Sequence, residues 1–190
     1  MANETFNILK ILVENPEEKY SIRKLSQLRK INYKSAYQAI MKLEQKGLAK
    51  LERLGNTTNC SFSQKFDETV FAVENERRQE LLKDKNFKTI HKYFDEIQQQ
   101  YILLIFGSHA KQTADKHSDI DLLAITENEK EIEQTTKKIP LNIHLTTTTN
   151  KDFTTMLKSK EFSVASEATK KNIILIGIED YYRAINNARK

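Results

Sequence analysis

Phe6, Leu9, Leu12 and Val13 recur at the spacing of one helix face, and the pattern stops at Asn15-Pro16, where the residue ahead of proline is pushed out of the α region. Ile22, Leu25 and Leu28 form a second apolar set behind Ser21, a good N-cap, and Ala36, Ile40 and Leu43 a third behind Asn32. The short turn 29–32 joins these two helices. The third runs over 33–46 and ends at Gly47, which suits the left-handed position past a helix C-terminus. From Leu48 the period changes to two: 48–54 and 57–63 read as strands around Gly55-Asn56, with Thr58, Cys60 and Phe62 on one face.

Residues 66–100 contain neither Gly nor Pro and keep a helical period. Phe66, Val70, Val73 and Leu81 predict one helix; Phe87, Ile90, Phe94 and Ile97 predict a second that packs on the C-terminal part of the chain. This linker is expected to couple its neighbours rigidly. Either helix suits a two-fold dimer contact or an ordinary packing face, and His91 reads as a surface or packing residue. Further on, 102–125 (ILLIFGSHAKQTADKHSDIDLLAI) reads strand, tight turn, short helix, loop, strand. In 140–146 (PLNIHLT), Leu141, Ile143 and Leu145 alternate with Asn142, His144 and Thr146, as on a strand with one apolar face.

Composition narrows the class. With 190 residues, 38% hydrophobic, 30% charged, and only 4 Gly and 2 Pro, the chain is long enough for one large or two small folded domains. The longest apolar runs, 102–106 and 173–176, fall far short of the roughly 20 residues a membrane span needs, so no membrane partner is expected. Residues 1–20 hold four Glu and lack the pattern of a secretory signal, which predicts a cytoplasmic protein. The lone Cys60 excludes an internal disulfide and a thiol-held zinc site.

Charge is unevenly spread. Residues 1–65 hold 12 Lys+Arg against 6 Asp+Glu, whereas 66–190 hold 19 against 20. A basic small domain on a near-neutral body is the electrostatic footprint of a module that meets phosphate backbone. The order helix, helix, turn, helix, hairpin, together with SIRKLS at 21–26 and LEQKGL at 43–48, resembles winged helix-turn-helix transcription regulators. The resemblance implies double-stranded DNA as partner and a nucleoid-associated protein. The N-terminal end of the third helix would enter the major groove and offers Tyr33, Lys34, Ser35, Tyr37 and Gln38. Arg53, Asn56 and Thr57 at the wing tip reach a flanking groove or phosphate, while Arg23, Lys24, Arg29 and Lys30 hold the backbone. A winged helix used only for protein contacts is the bland alternative. Cys60 is read as a small core residue.

Chemistry concentrates in 102–125. Gly107 lets the backbone turn closely after the first strand, and Ser108 opens a helix whose free N–H groups suit polyphosphate. Asp119 and Asp121, two apart on a strand, point to one face, and a divalent cation is the natural neutraliser of two adjacent carboxylates. Gly107-Ser108 followed by SDIDL at 118–122 resembles the signature of the DNA polymerase beta-like nucleotidyltransferase superfamily, in particular its minimal domains from archaea and bacteria. The resemblance runs from about residue 87 to the end of the chain and includes NIILIGIEDYY at 172–182 as a closing strand and amphipathic helix. It implies that Gly107 and Ser108 hold a triphosphate and that Asp119 and Asp121 bind Mg²⁺. Ser118 is a further candidate for the nucleotide, and Lys111 on the short helix reads either as a phosphate contact or as a solvated lysine. His109 and His117 flank the site and read as loop histidines.

Two departures from that signature are visible. Where the family has Gly after the short helix this chain has Gln112, which is expected to cost little. The strand expected to supply a third carboxylate offers Asn142 and His144 instead; either is a candidate third ligand, through oxygen or imidazole nitrogen, but Mg²⁺ prefers charged oxygen, so the catalytic metal should bind less well. The fold class expected is α/β in the α+β sense: a winged helix over 1–65, a helical linker over 66–86, and a nucleotidyltransferase-like domain over 87–190 with a mixed sheet flanked by helices. The function expected is a homodimeric DNA-binding regulator whose second domain binds an NTP with weak or lost catalysis. An active enzyme transferring a nucleotidyl group to a protein, RNA or small-molecule hydroxyl is the main alternative, and an architectural DNA-coating protein the third.

Overall fold

A computed structural model describes residues 2–55, 57–115, 117–159 and 161–188, without the side chains of residues 2 and 3. The chain divides into two compact units, 1–73 and 74–190.

The first unit contains α1 (Ala2–Glu14), β1 (Tyr20–Ser21), α2 (Ile22–Arg29), α3 (Tyr33–Gln45), β2 (Ala49–Leu54) and β3 (Thr57–Phe62). Both inner helices start where their caps require. The Ser21 hydroxyl accepts from the Lys24 N–H at 3.1 Å, and the Asn32 side chain accepts from the Ser35 N–H at 2.8 Å, each satisfying a donor that the first helical turn leaves open. The unforeseen β1 pairs with β3, which pairs with β2, so the antiparallel sheet has the order β1-β3-β2. Ile8, Leu9, Leu12, Ile22, Leu25, Ile40, Leu43 and Leu48 are buried. Leu28 departs from the expected apolar set and is 46% exposed, because the buried face of α2 is drawn through Ile22, Leu25 and Ser26. Cys60 is the expected core residue: its thiol donates to the Tyr20 carbonyl at 3.0 Å, and burial pushes its pKa up to about 12.

The linker helices are α4 (Glu68–Leu81), through which the division between units runs, and α5 (Lys85–Asp95), whose Phe87, Ile90 and Phe94 are buried. His91 is half-buried, and burial lowers its pKa. The second unit continues with β4 (Ile102–Ile105), α6 (Gly107–Lys111), β5 (Ile120–Ile125), α7 (Glu129–Lys137), β6 (Ile143–Thr148), α8 (Asn150–Ser159), α9 (Val164–Lys170), β7 (Ile173–Ile176) and α10 (Ile178–Ala188). Its sheet is mixed, in the order β6-β5-β4-β7: β4 is antiparallel to β5 and β7, and β5 is parallel to β6. The fold is therefore mixed α/β, as expected. Every residue of β4 is buried, which is why its sequence is a continuous apolar run rather than an alternation. Asp121 breaks the same pattern in β5 and is only half-buried, so the sheet exposes a charge at one end of its central strand pair. Among the described residues no helix is long and apolar enough to cross a membrane.

Candidate functional site

The site is built where β4 ends and β5 begins. Phe106 donates its N–H to the Asp121 carbonyl at 3.1 Å, which clamps the turn after β4 onto β5. The chain then turns at Gly107, whose φ is +66°. A Cβ placed there would lie 2.1 Å from Asp121 Oδ2 and 3.0 Å from its Cγ, so the carboxylate rests directly against the Gly107 backbone. Only glycine satisfies both the left-handed backbone and this approach.

Helix α6 closes with Gln112 in the left-handed region, at φ 59° and ψ 32°. This corrects the expectation that the residue costs little, because a side chain in this conformation carries roughly 1–2 kcal/mol of strain. Gln112→Gly is expected to stabilise the protein by about 1 kcal/mol, the gain being trimmed by the greater entropy of glycine in the unfolded chain. A higher urea midpoint at unchanged slope would register it.

The loop ahead of β5 is held by its own polar groups. Ser118 accepts from the Asp115 N–H at 2.9 Å and donates to Asp115 Oδ1 at 3.1 Å, while the His117 N–H donates to the same oxygen at 2.8 Å. The His117 N–H and the Ser118 hydroxyl together hold Asp115 below the usual carboxylate range. His109 lies with Nε2 3.4 Å from the Ser118 carbonyl, its ring edge-on to Phe87 at 5.4 Å between centroids. It is thus half-buried between α5 and the loop. The Ser118 hydroxyl, assigned to nucleotide from sequence, serves this turn.

Asp119 stands immediately before β5 and Asp121 is its second residue. The parallel register sets Asp121 opposite His144, and the Ile120 N–H donates to the Asn142 carbonyl at 3.0 Å. Each carboxylate therefore meets a polar side chain at the start of β6, one from the residue just before the strand and one from the strand itself. The Asn142 amide donates to Asp119, and His144 Nδ1 lies 3.2 Å from Asp121 Oδ1. The other face behaves as its spacing implied, with Leu141, Ile143 and Leu145 packed against the core. Lys111 forms an ion pair with Glu167 of α9 at 3.0 Å.

Among the described residues no three His, Cys, Asp or Glu side chains come together as a cation site. The donor chemistry still fits one hard cation, since Mg²⁺ is commonly held by one or two carboxylates with the remaining positions taken by phosphate oxygens and water. A third carboxylate is not present on the polar face of β6.

Residues 88–181 match the family model for polymerase beta, nucleotidyltransferase. They form a nucleotidyltransferase domain of the polymerase beta superfamily. The match takes in the Gly107 turn, both carboxylates and β6, and stops within α10. No curated protein and no solved structure matches the chain. Within this nucleotidyltransferase domain, the sequence singled out Gly107, Asp119, Asp121, Asn142 and His144, and the fold brings them to one end of the sheet. It missed the seat of His109 and the pairing of Lys111. The Asp115-x-x-Ser118 pattern is a recognisable side-chain turn and was the available signal for the loop.

In the first unit Arg23, Lys24, Lys30, Tyr33, Lys34, Tyr37, Gln38, Arg53 and Thr57 are exposed. Arg29 is half-buried and bonded through Nε to Glu4 at 3.3 Å, and Ser35 is half-buried with its N–H on the Asn32 cap. Asn56 lies outside the described residues.

Proposed function

We propose that this protein is a DNA-binding regulator whose N-terminal winged helix, over about 1–65, reads double-stranded DNA and whose nucleotidyltransferase domain holds an NTP with one Mg²⁺ and transfers its nucleotidyl group, with release of pyrophosphate, weakly or not at all. The observation that carries the second half is the pairing of Asp119 with Asn142 and of Asp121 with His144. His144 stands on β6, and Asn142 immediately before it, where the resembling domains place their third acid. A two-metal transfer needs cations that clamp both attacking and leaving oxygens, and here the strand beside the two aspartates adds an amide and an imidazole.

In this reading the Gly107-Ser108 turn cradles the triphosphate, and Asp119 and Asp121 hold the cation. Lys111 reaches phosphate on leaving Glu167. When bound, Mg²⁺ neutralises phosphate charge and orients the α-phosphate. His109 keeps the Ser118 backbone, and with it Asp119, in place. Support for the first half comes from the element order, the antiparallel β1-β3-β2 sheet beside α3, and the basic excess in 1–65. The reading takes the regulator as a homodimer at the nucleoid, where nucleotide occupancy changes DNA affinity.

Calorimetric titration with MgATP, followed by DNA binding at saturating and zero nucleotide, tests the reading. Binding with a change in DNA affinity and no transfer of labelled nucleotide is the expected result. Efficient, multiple-turnover incorporation of label that is lost in both Asp119→Ala and Asp121→Ala would overturn it in favour of an active transferase.

A further inference from the structure

The outward half of α3 carries a chemistry that folding does not use. Ala36, Ala39, Ile40 and Leu43 fill the inward face, whereas Tyr33, Lys34, Tyr37, Gln38, Lys42 and Gln45 are exposed and include no acid. Tyr33 and Tyr37 are 55% and 45% exposed and stack on one another at 6.4 Å with 23° between ring planes. Two large rings left in water on a helix with a complete buried face contribute little to the core. Their mutual stacking restrains two already stiff side chains, so little entropy remains to be lost when a partner covers them. Charge selects the partner. Exposed Arg23, Lys24, Lys30, Lys34 and Lys42 lie on α2, α3 and the turn between them, in a region with twice as many cations as anions.

We infer that Tyr37 and Gln38 read A·T base pairs in the major groove, the Gln38 amide bonding adenine and the Tyr37 ring packing on the thymine methyl. This rests on the proposed DNA-binding function and adds its specificity. Base edges differ in what they ask of a side chain. Adenine offers an acceptor and a donor side by side, which a glutamine amide matches with its N–H and C=O together, and thymine offers the methyl group that an apolar surface can cover. In the first two turns of α3, Gln38 is the exposed side chain that carries both a donor and an acceptor on one planar group, and Tyr33 and Tyr37 are the exposed apolar surfaces of the same turns. Lys34, a point charge on a flexible stem, goes to phosphate.

The test uses the full-length protein. Duplexes are selected from a randomised library, and the affinity of the best is measured by fluorescence anisotropy after replacing thymine by deoxyuracil, which lacks the methyl, or adenine by 7-deazaadenine, which lacks N7. The expected result is a several-fold loss on the first replacement that disappears in Tyr37→Ala, and a loss of about tenfold on the second that disappears in Gln38→Ala. Both positions are exposed, and matching urea midpoints for the variants establish that they fold. Selected duplexes whose affinity ignores both replacements would overturn the base reading while leaving DNA binding intact. Failure to enrich or bind any duplex at low salt would overturn the DNA-binding reading itself, and this inference with it.

Discussion

Gly107→Ala is expected to lower the stability of the protein by about 3 kcal/mol and to remove measurable MgATP binding. Two costs add. An alanine at φ +66° carries roughly 1–2 kcal/mol of backbone strain, and its Cβ would sit 2.1 Å from Asp121 Oδ2, so the carboxylate must leave its seat. Asp121 cannot move freely, because its own carbonyl takes the Phe106 N–H and its strand is hydrogen-bonded on both sides. Gly55→Ala is the control. It has a φ of +59° and nothing within 4 Å of the added carbon, so it isolates the strain and should cost only about 1 kcal/mol. Urea midpoints of the two variants and a calorimetric MgATP titration check the difference. Equal losses would mean that the Asp121 carboxylate does not rest on the Gly107 backbone in solution.

The other large effect lies away from the site. Arg77→Ala should destabilise the chain by about 3–5 kcal/mol, a substantial share of a typical total of roughly 5–15. Arg77 and Glu74 are both buried, 6% and 2% exposed, and their side chains meet at 2.5 Å. The guanidinium also donates to the Asn172 carbonyl at 2.6 Å, and Glu74 accepts from the Tyr182 hydroxyl at 2.7 Å. Asn172 in turn bonds the Ala168 carbonyl and the Tyr182 neighbour, Tyr181. Removing the cation strands a carboxylate among groups chosen to serve a pair. Burial, followed by the charge on Glu74, pushes the Tyr182 hydroxyl well above its ordinary pKa, so it stays a donor throughout the accessible range. Glu74→Leu combined with Arg77→Met should recover part of the loss in chemical denaturation. Full recovery is not expected, since the bonds of the Tyr182 hydroxyl to Glu74 and of the Asn172 carbonyl to Arg77 are lost as well, at about 1–3 kcal/mol each. A double variant no better than Arg77→Ala alone would show that the charges are not what the network turns on.

Much of the architecture was readable because its causes are local. Ser21 and Asn32 announce helix starts since each caps an N–H three residues on. The continuous run at 102–106 announces a strand, found as β4 over 102–105, and the alternation at 141–145 announces one apolar face that does pack on the core, although the strand itself starts only at Ile143. The chemical face of the site followed from the same periodicity, which sets Asp121 outward between buried Ile120 and Leu122. Gln112 was misjudged for a specific reason: composition shows which residue ends a helix, but not whether the end is left-handed. The short β1 was invisible because two residues carry no period, and it exists only because β3 offers an open edge.

The pairings that define the electrostatics were out of reach for a related reason. Arg29 meets Glu4 across 25 residues, Lys111 meets Glu167 across 56, and Glu74 meets Tyr182 across 108. From order and spacing alone one obtains the elements, the apolar faces and the residue types that end up at the tip of β5, because those depend on neighbours a few positions away. Which cation stays in solvent and which is already spent on an internal acid, and that an aspartate rests against a glycine, depend on where distant segments come to rest. Those placements arise from burying apolar surface, a non-directional force that names no particular partner for a charge.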